Sequence, residues 1–138
     1  MEGPDGDQGR VYARRVQSPD FSLTGQIALV TGASRGIGRD LVLALAAAGA
    51  TVAAAARSSE DLVGVLREVW AHGGEAFGVE MDVTDVAGVR RAVEGVVAQA
   101  GHIDVLVNNA GLGSNQDALH VTEAEWDTMM DVNLKGLF

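Results

Sequence analysis

Apolar residues along the chain fall in short blocks whose period switches repeatedly between strand and helix. Ile27-Ala28-Leu29-Val30 is a continuous apolar run of strand length, and a glycine-rich turn follows it. Over about 37–48 the apolar positions take helical spacing, with Gly49 where a helix stop is expected. Residues 51–56 read as a second buried strand. Ser58 and Ser59 offer caps to a helix whose face is Leu62, Val65, Leu66, Val69 and Trp70, stopped by Gly73-Gly74. A third strand is predicted over 76–81. After Thr84, the residues Val86, Val89, Val93, Val96, Val97 and Ala100 form another helical stripe, ended by Gly101. Residues 104–108 hold a fourth strand, Val105-Leu106-Val107, and 111–121 read as loop. Thr122 with Glu125 then makes a capping box for a last helix.

Strands alternating with helices of 10–15 residues predict an α/β fold built from right-handed βαβ crossovers. The expected form is a Rossmann-type doubly wound parallel sheet, incomplete, with about four strands in the order 3-2-1-4. Ligands of such sheets bind beyond the carboxyl ends of the strands, near the point where the order reverses.

Composition narrows the picture. The chain has 138 residues, enough for one compact unit, and its 47% hydrophobic content excludes a wholly disordered chain. Residues 1–20 are rich in Gly, Asp and Arg without periodicity and are expected to be a disordered tail, which leaves 21–138 as the folded part. Asp+Glu is 19 against Lys+Arg 10, a net charge of −9. That excess repels phosphate backbones and anionic lipid, so no nucleic-acid or membrane partner is expected, although a local basic spot can still hold one small anion. The absence of cysteine excludes disulfides, thiolate metal sites and cysteine nucleophiles, and it fits a reducing, cytoplasmic setting. His72, His102 and His120 are isolated and without ligand spacing, so no metal site is expected. The acidic start has no apolar run and does not read as a secretory signal. The longest uncharged stretch, 41–56, is too short and too alanine-rich for a membrane span.

Gly accounts for 18 of 138 residues, nearly twice the usual ~7%, and three glycines sit in one turn. Thr31-Gly32-Ala33-Ser34-Arg35-Gly36-Ile37-Gly38 joins the first strand to the first helix, the setting that gives a glycine motif meaning. Gly32 permits the tight turn, Gly36 lets the backbone approach a pyrophosphate, and Gly38 allows close helix–strand packing. Free N–H groups at the helix start, with the positive end of its dipole, then face the phosphates. The spacing departs from the usual dinucleotide fingerprint, and Arg39-Asp40 stands where a P-loop needs Lys and Ser or Thr. The plain alternative is that these glycines serve only a tight turn.

This turn, with Asp82-Val83, Asn108-Asn109-Ala110-Gly111 and Val132-Asn133-Leu134-Lys135-Gly136 in order behind it, resembles the short-chain dehydrogenase/reductase family over about 21–138. Within that family it is similar to the 3-oxoacyl-carrier-protein reductase and the sugar- or polyol-dehydrogenase branches. The resemblance implies a nicotinamide cofactor, cofactor contacts from Gly32, Ser34, Arg35, Gly36, Ile37 and Gly38, and hydride exchange with a carbonyl or alcohol substrate. It also implies that Asp82 and Val83 flank the adenine, unless Asp82 or Thr84 only caps the third helix. Of the two asparagines, Asn108 is expected to tie the sheet and Asn109 to meet the cofactor, with the small Ala110-Gly111 step leaving room. Homo-oligomers are usual in the family.

The second strand ends Ala56-Arg57, with no carboxylate until Glu60. An acid there would bond the 2′-OH of NAD, whereas Arg accommodates the 2′-phosphate of NADP. Arg57, with Arg35 as a second cation, therefore predicts NADP(H), unless Arg57 merely begins a solvated loop. In the last helix Trp126, Met129, Met130, Leu134 and Leu137 make an apolar face onto which Asn133 also falls. Asn133 either satisfies backbone at a helix distortion or, as the family implies, serves as the catalytic-site Asn that holds a water of the proton relay. Family catalysis needs Tyr-x-x-x-Lys, but Tyr12 is followed four residues on by Val16, and Lys135 has no such tyrosine before it. The expectation is an NADP-binding half-domain cut before its proton donor, inactive as written. A non-catalytic nucleotide-binding or interaction module is the alternative. The fourth strand is expected to present a bare edge, making the chain poorly soluble or self-associating.

Overall fold

The computed structural model describes residues 20–114, 117 and 119–138. Most of the expected tail, 1–19, lies outside them. Strand β1 (Ile27–Thr31) is buried along its whole length, as a central strand covered on both faces must be. Helix α1 (Gly36–Ala47) buries Val42 and Ala46 and ends where Gly49 takes a φ of +98°. Strand β2 (Thr51–Ala56) ends in four alanines, and these small side chains let helices lie close on the sheet.

The elements that follow correct several expected boundaries. Neither serine caps helix α2 (Val63–Ala71) directly, because a 3-10 turn, Glu60–Leu62, comes first. Ser58 Oγ accepts from the Glu60 amide at 3.3 Å instead, and fully buried Leu62 pins the turn to the core. Trp70 stays on the surface, where its Nε1 donates to the Ala76 carbonyl at 3.0 Å. Strand β3 (Glu75–Glu80) starts one residue earlier than expected. Helix α3 (Val86–Ala100) is capped by Asp85, whose Oδ1 accepts from the Ala87 amide at 3.1 Å, and not by Asp82 or Thr84. Val86 and Val97 are exposed, while Ala92 and Val96 carry the buried face. After β4 (Val105–Val107), helix α4 (Glu123–Asn133) opens with the reciprocal Thr122–Glu125 capping box. A second 3-10 turn, Lys135–Leu137, follows it.

The sheet is parallel throughout, in the order β3-β2-β1-β4. Register places Ala28 between Val52 and Val105, and Val30 between Ala54 and Val107. Alternate residues feed two cores. Ala28, Val30, Val52 and Ala54 meet Val42, Leu62, Leu66 and Val69 on one face. Ile27, Leu29, Ala53 and Ala55 meet Met81 and Val96 on the other. The chain runs outward from β1 to β3, then returns through α3 to place β4 on the far side of β1. That reversal leaves a gap at the carboxyl ends of the strands.

Among the described residues β4 pairs only with β1, and Leu106 is 55% exposed. Helix α4 buries none of its residues, and Trp126, at 54% exposure, lies outside the core. The apolar face of the helix is thus largely on the surface, and Asn133 is exposed with it. No helix among the described residues is long and apolar enough to cross a membrane.

Candidate functional site

Loops leaving the carboxyl ends of the strands surround one cleft of about 600 Å³. The turn after β1 forms its floor. Gly32 has a φ of +64°, and a Cβ there would lie 2.8 Å from the Ala110 Cα. A Cβ on Gly38 would overlap the Gly32 carbonyl oxygen and come within 2.5 Å of Asn109 Nδ2. Gly36 is different: its φ of +55° favours glycine, but a Cβ there meets nothing within 4 Å, so that stretch of backbone borders open space. Ala33 anchors the turn by donating from its amide to the Ala55 carbonyl at 2.9 Å. No side chain caps the start of α1, and no carboxylate lies in its first turn. The helix start thus presents bare N–H groups and a partial positive charge to the cleft.

Asn109 knots the far wall to this floor. Its Nδ2 donates to the Thr31 carbonyl at 2.9 Å and to the Gly32 carbonyl at 3.1 Å. The Asn109 and Ala110 amides both donate to Thr31 Oγ1, at 3.1 and 3.0 Å. The tie between β1 and β4 is therefore made by Asn109, whereas Asn108, to which the sequence assigned it, is exposed. Asn109 also lines the cleft, so tie and wall are one residue. Thr31 was missed as a site residue. Its signal was available, since it is the one polar residue closing an otherwise apolar strand.

Arg35 and Arg57 both line the cleft, and among the described residues neither sits in an ion pair. Asp82 lines it too, and its Oδ1 accepts from the Thr84 amide at 2.9 Å and from Thr84 Oγ1 at 2.7 Å. Those bonds, aided by the charge of Arg57, hold the Asp82 carboxyl below the ordinary carboxylate value despite some opposing burial. Val83 lines the cleft and supports the last turn of the chain, where a Cβ on Gly136 would lie 2.8 Å from Val83 Cγ2. Ser34, Ile37, Ala110 and Gly111 line the cleft as expected, whereas Gly38 does not, because it is packed against the Gly32 carbonyl and Asn109. Asp61, Met81, Leu112, Thr128 and Val132 line it as well and were not singled out from the sequence.

Asn133 lies outside the lining but holds it. Its Oδ1 accepts from the Leu112 amide at 2.7 Å, and its Nδ2 donates to the Leu112 carbonyl at 2.9 Å. The amide therefore satisfies backbone across space and not within its own helix, although α4 does give way to a 3-10 turn just beyond it. The histidines make local contacts elsewhere, His72 to the Glu68 carbonyl, His102 to Asp104 and His120 to Asp117. Among the described residues no group of three or more His, Cys, Asp or Glu could hold a metal ion.

A family model described as short chain dehydrogenase matches residues 26–138. The chain belongs to that family. It is 46% identical over 112 residues to a 3-oxoacyl-(acyl-carrier-protein) reductase of Staphylococcus aureus, a match covering 80% of this chain and 46% of the relative. A reductase of the same name from Thermotoga maritima is 40% identical over 116 residues, covering 84% and 47%. Among solved structures, a short-chain type dehydrogenase/reductase from Mycobacterium marinum superposes with a TM-score of 0.82 at 42% identity, covering 86% of this chain and 46% of that one. A metagenomic short-chain oxidoreductase in complex with NADP superposes at 0.77 with 44% identity, covering 83% and 52%. The chain thus spans about half the length of the relatives it matches. In a short-chain dehydrogenase the parallel sheet ordered 3-2-1-4 is the Rossmann-like half that the sequence predicted.

Proposed function

We propose that the chain is the nucleotide-holding part of an NADP(H)-dependent oxidoreductase acting on a carbonyl or alcohol. One observation carries the reading: an uncapped helix start and two guanidiniums outside ion pairs converge on a single cleft in a protein of net charge −9. Asp61 and Asp82 line the cleft too, so the positive character is local, at the helix start and the two guanidiniums, which fits the phosphate groups of a small ligand. The open space beside Gly36 gives the backbone room to meet it. The similarity to an oxidoreductase solved with NADP, and to reductases of 3-oxoacyl groups, supports the same choice.

When bound, the nicotinamide ring would supply or accept the hydride. The residues of this chain bind and orient. Amides of the 34–38 turn hold the diphosphate, while Arg57 and Arg35 fork onto the 2′-phosphate. Asp82 and Val83 flank the adenine, where the Asp82 carboxylate is a hydrogen-bond acceptor. Asn109, Ala110 and Gly111 shape the wall for the ribose, and Asn133 holds that wall through Leu112. We place the enzyme in the cytoplasm and as a homo-oligomer.

Within these 138 residues there is no Tyr-x-x-x-Lys pair to donate a proton. On that ground we infer that they bind nucleotide without turnover. The second reading is a nucleotide-binding or interaction module, which the same cleft would serve equally well. Titration with NADPH and NADH, followed by cofactor fluorescence, tests the binding shared by both. Tighter NADPH binding is expected, and equal or tighter NADH binding refutes the assignment. Carbonyl reduction by the 138 residues alone would refute the inferred silence.

A further inference from the structure

The carboxylate that the sequence lacks at the end of β2 is delivered to the cleft four residues after Arg57. Asp61 lines the same cleft as Arg57 and Arg35. Its position is fixed by its neighbours and not by its own bonds. Leu62 is fully buried, and its amide donates to the Ser59 carbonyl at 3.2 Å, while the Glu60 amide is held by Ser58 Oγ. Asp61 itself is exposed, and among the described residues its carboxylate makes no ion pair and no side-chain hydrogen bond. A carboxylate with no structural partner thus lines the cleft that the two guanidiniums and Asp82 also line.

We propose that Asp61 is a specificity-determining residue that narrows the cleft's preference for a 2′-phosphorylated nucleotide over one with a free 2′-hydroxyl. It rests on the reading of the cleft as a nucleotide site, and deepens it. The carboxylate repels the 2′-phosphate that the guanidiniums attract, whereas toward a ribose it is a hydrogen-bond acceptor. The two charges of opposite sign, four residues apart on one segment, set the balance between the two coenzymes.

The probes are 2′,5′-ADP and 5′-ADP, titrated calorimetrically into the whole 138-residue chain at low salt. Asp61→Asn should raise the ratio of 2′,5′-ADP to 5′-ADP affinity about fivefold, the size of an exposed charge–charge effect. Asp61→Lys should raise it further, and added salt should shrink both gains. Because Asp61 is exposed and makes no side-chain bond, Asp61→Asn should melt with the wild type, while Asp61→Lys, which puts a cation in the first turn of the segment leading into α2, should melt slightly lower. A ratio unchanged or lowered in Asp61→Asn and Asp61→Lys overturns the proposal. Arg57→Ala, measured beside them, should lower the ratio. If it does not, the 2′-phosphate reading fails, whatever Asp61 does. Failure of the unaltered chain to bind either probe overturns both.

Discussion

Asn109 is bonded to Thr31 twice, through its amide to Thr31 Oγ1 at 3.1 Å and through its Nδ2 to the Thr31 carbonyl at 2.9 Å. These bonds join the ends of β1 and β4 where the strand order reverses, so the wall of the cleft is set by the sheet itself. The Thr31 hydroxyl is also the acceptor for the Ala110 amide, and its own proton points to the Val107 carbonyl at 3.4 Å.

Thr31→Val keeps the shape of the side chain and removes that acceptor, leaving the Ala110 amide short of a partner, while the Asn109 amide keeps the Val107 carbonyl at 3.1 Å. A loss of about 2 kcal/mol is expected, since each unsatisfied part-buried donor costs about 1–3 kcal/mol. Thr31→Ser should recover most of it. Chemical denaturation checks both, and a Thr31→Val variant as stable as the wild type would show that the knot contributes nothing.

The glycines of the turn are expected to separate by role. Gly38→Ala places a methyl group against the Gly32 carbonyl and Asn109, both of which are fixed, so overpacking should cost about 2–3 kcal/mol and weaken nucleotide binding. Gly36→Ala meets no atom, and only its left-handed φ is strained, at about 1–2 kcal/mol. Thermal melting should therefore rank Gly38→Ala well below Gly36→Ala. The reverse order would contradict the geometry.

The legibility of these features in the sequence follows physical lines. Strands β1 and β2 were readable because a buried parallel strand is a nearly continuous apolar run, as 27–30 and 52–56 are, and the strand order followed from their alternation with helices. The Thr122–Glu125 box was readable because both partners lie within one turn. Contacts made at long sequence separation were not readable. Nothing near Asn109 in the sequence says that its amide reaches Thr31 and Gly32, or that Asn133 reaches Leu112. The periodicity of α4 marked its apolar face but does not say what covers such a face, and Trp126 and Leu134 are exposed. Asp61 was passed over because a 3-10 turn, and not the strand end, carries it into the cleft.

Asp82 gives a pH dependence whose sign is fixed. Its folded pKa is depressed, first by the Thr84 amide and hydroxyl and then by Arg57, so its ionised form favours the folded state. That contribution is whole above the ordinary carboxylate value of about 3.9 and fades as pH falls through the lower folded value. The stability gap between wild type and Asp82→Asn should accordingly shrink on acidification below that range. Denaturation curves across acid pH measure it, and a gap that stays constant would remove Asp82 from the account.

Asn133→Ala should loosen the cleft wall more than the fold. Both of its bonds go to Leu112, on an exposed loop, so about 1 kcal/mol of stability is at stake. NADPH affinity is expected to fall about fivefold, the equivalent of a similar free energy. Unchanged affinity in a normally folded variant would mean that the clasp on Leu112 has no part in holding nucleotide.

The most direct test follows backbone amides by hydrogen exchange with and without NADPH. Slowed exchange is predicted across 34–38, where bare N–H groups acquire phosphate acceptors, with lesser protection near Arg57 and at Ala110 and Gly111. Bound NADPH that leaves the 34–38 amides exchanging at their free rate would contradict the account at its centre.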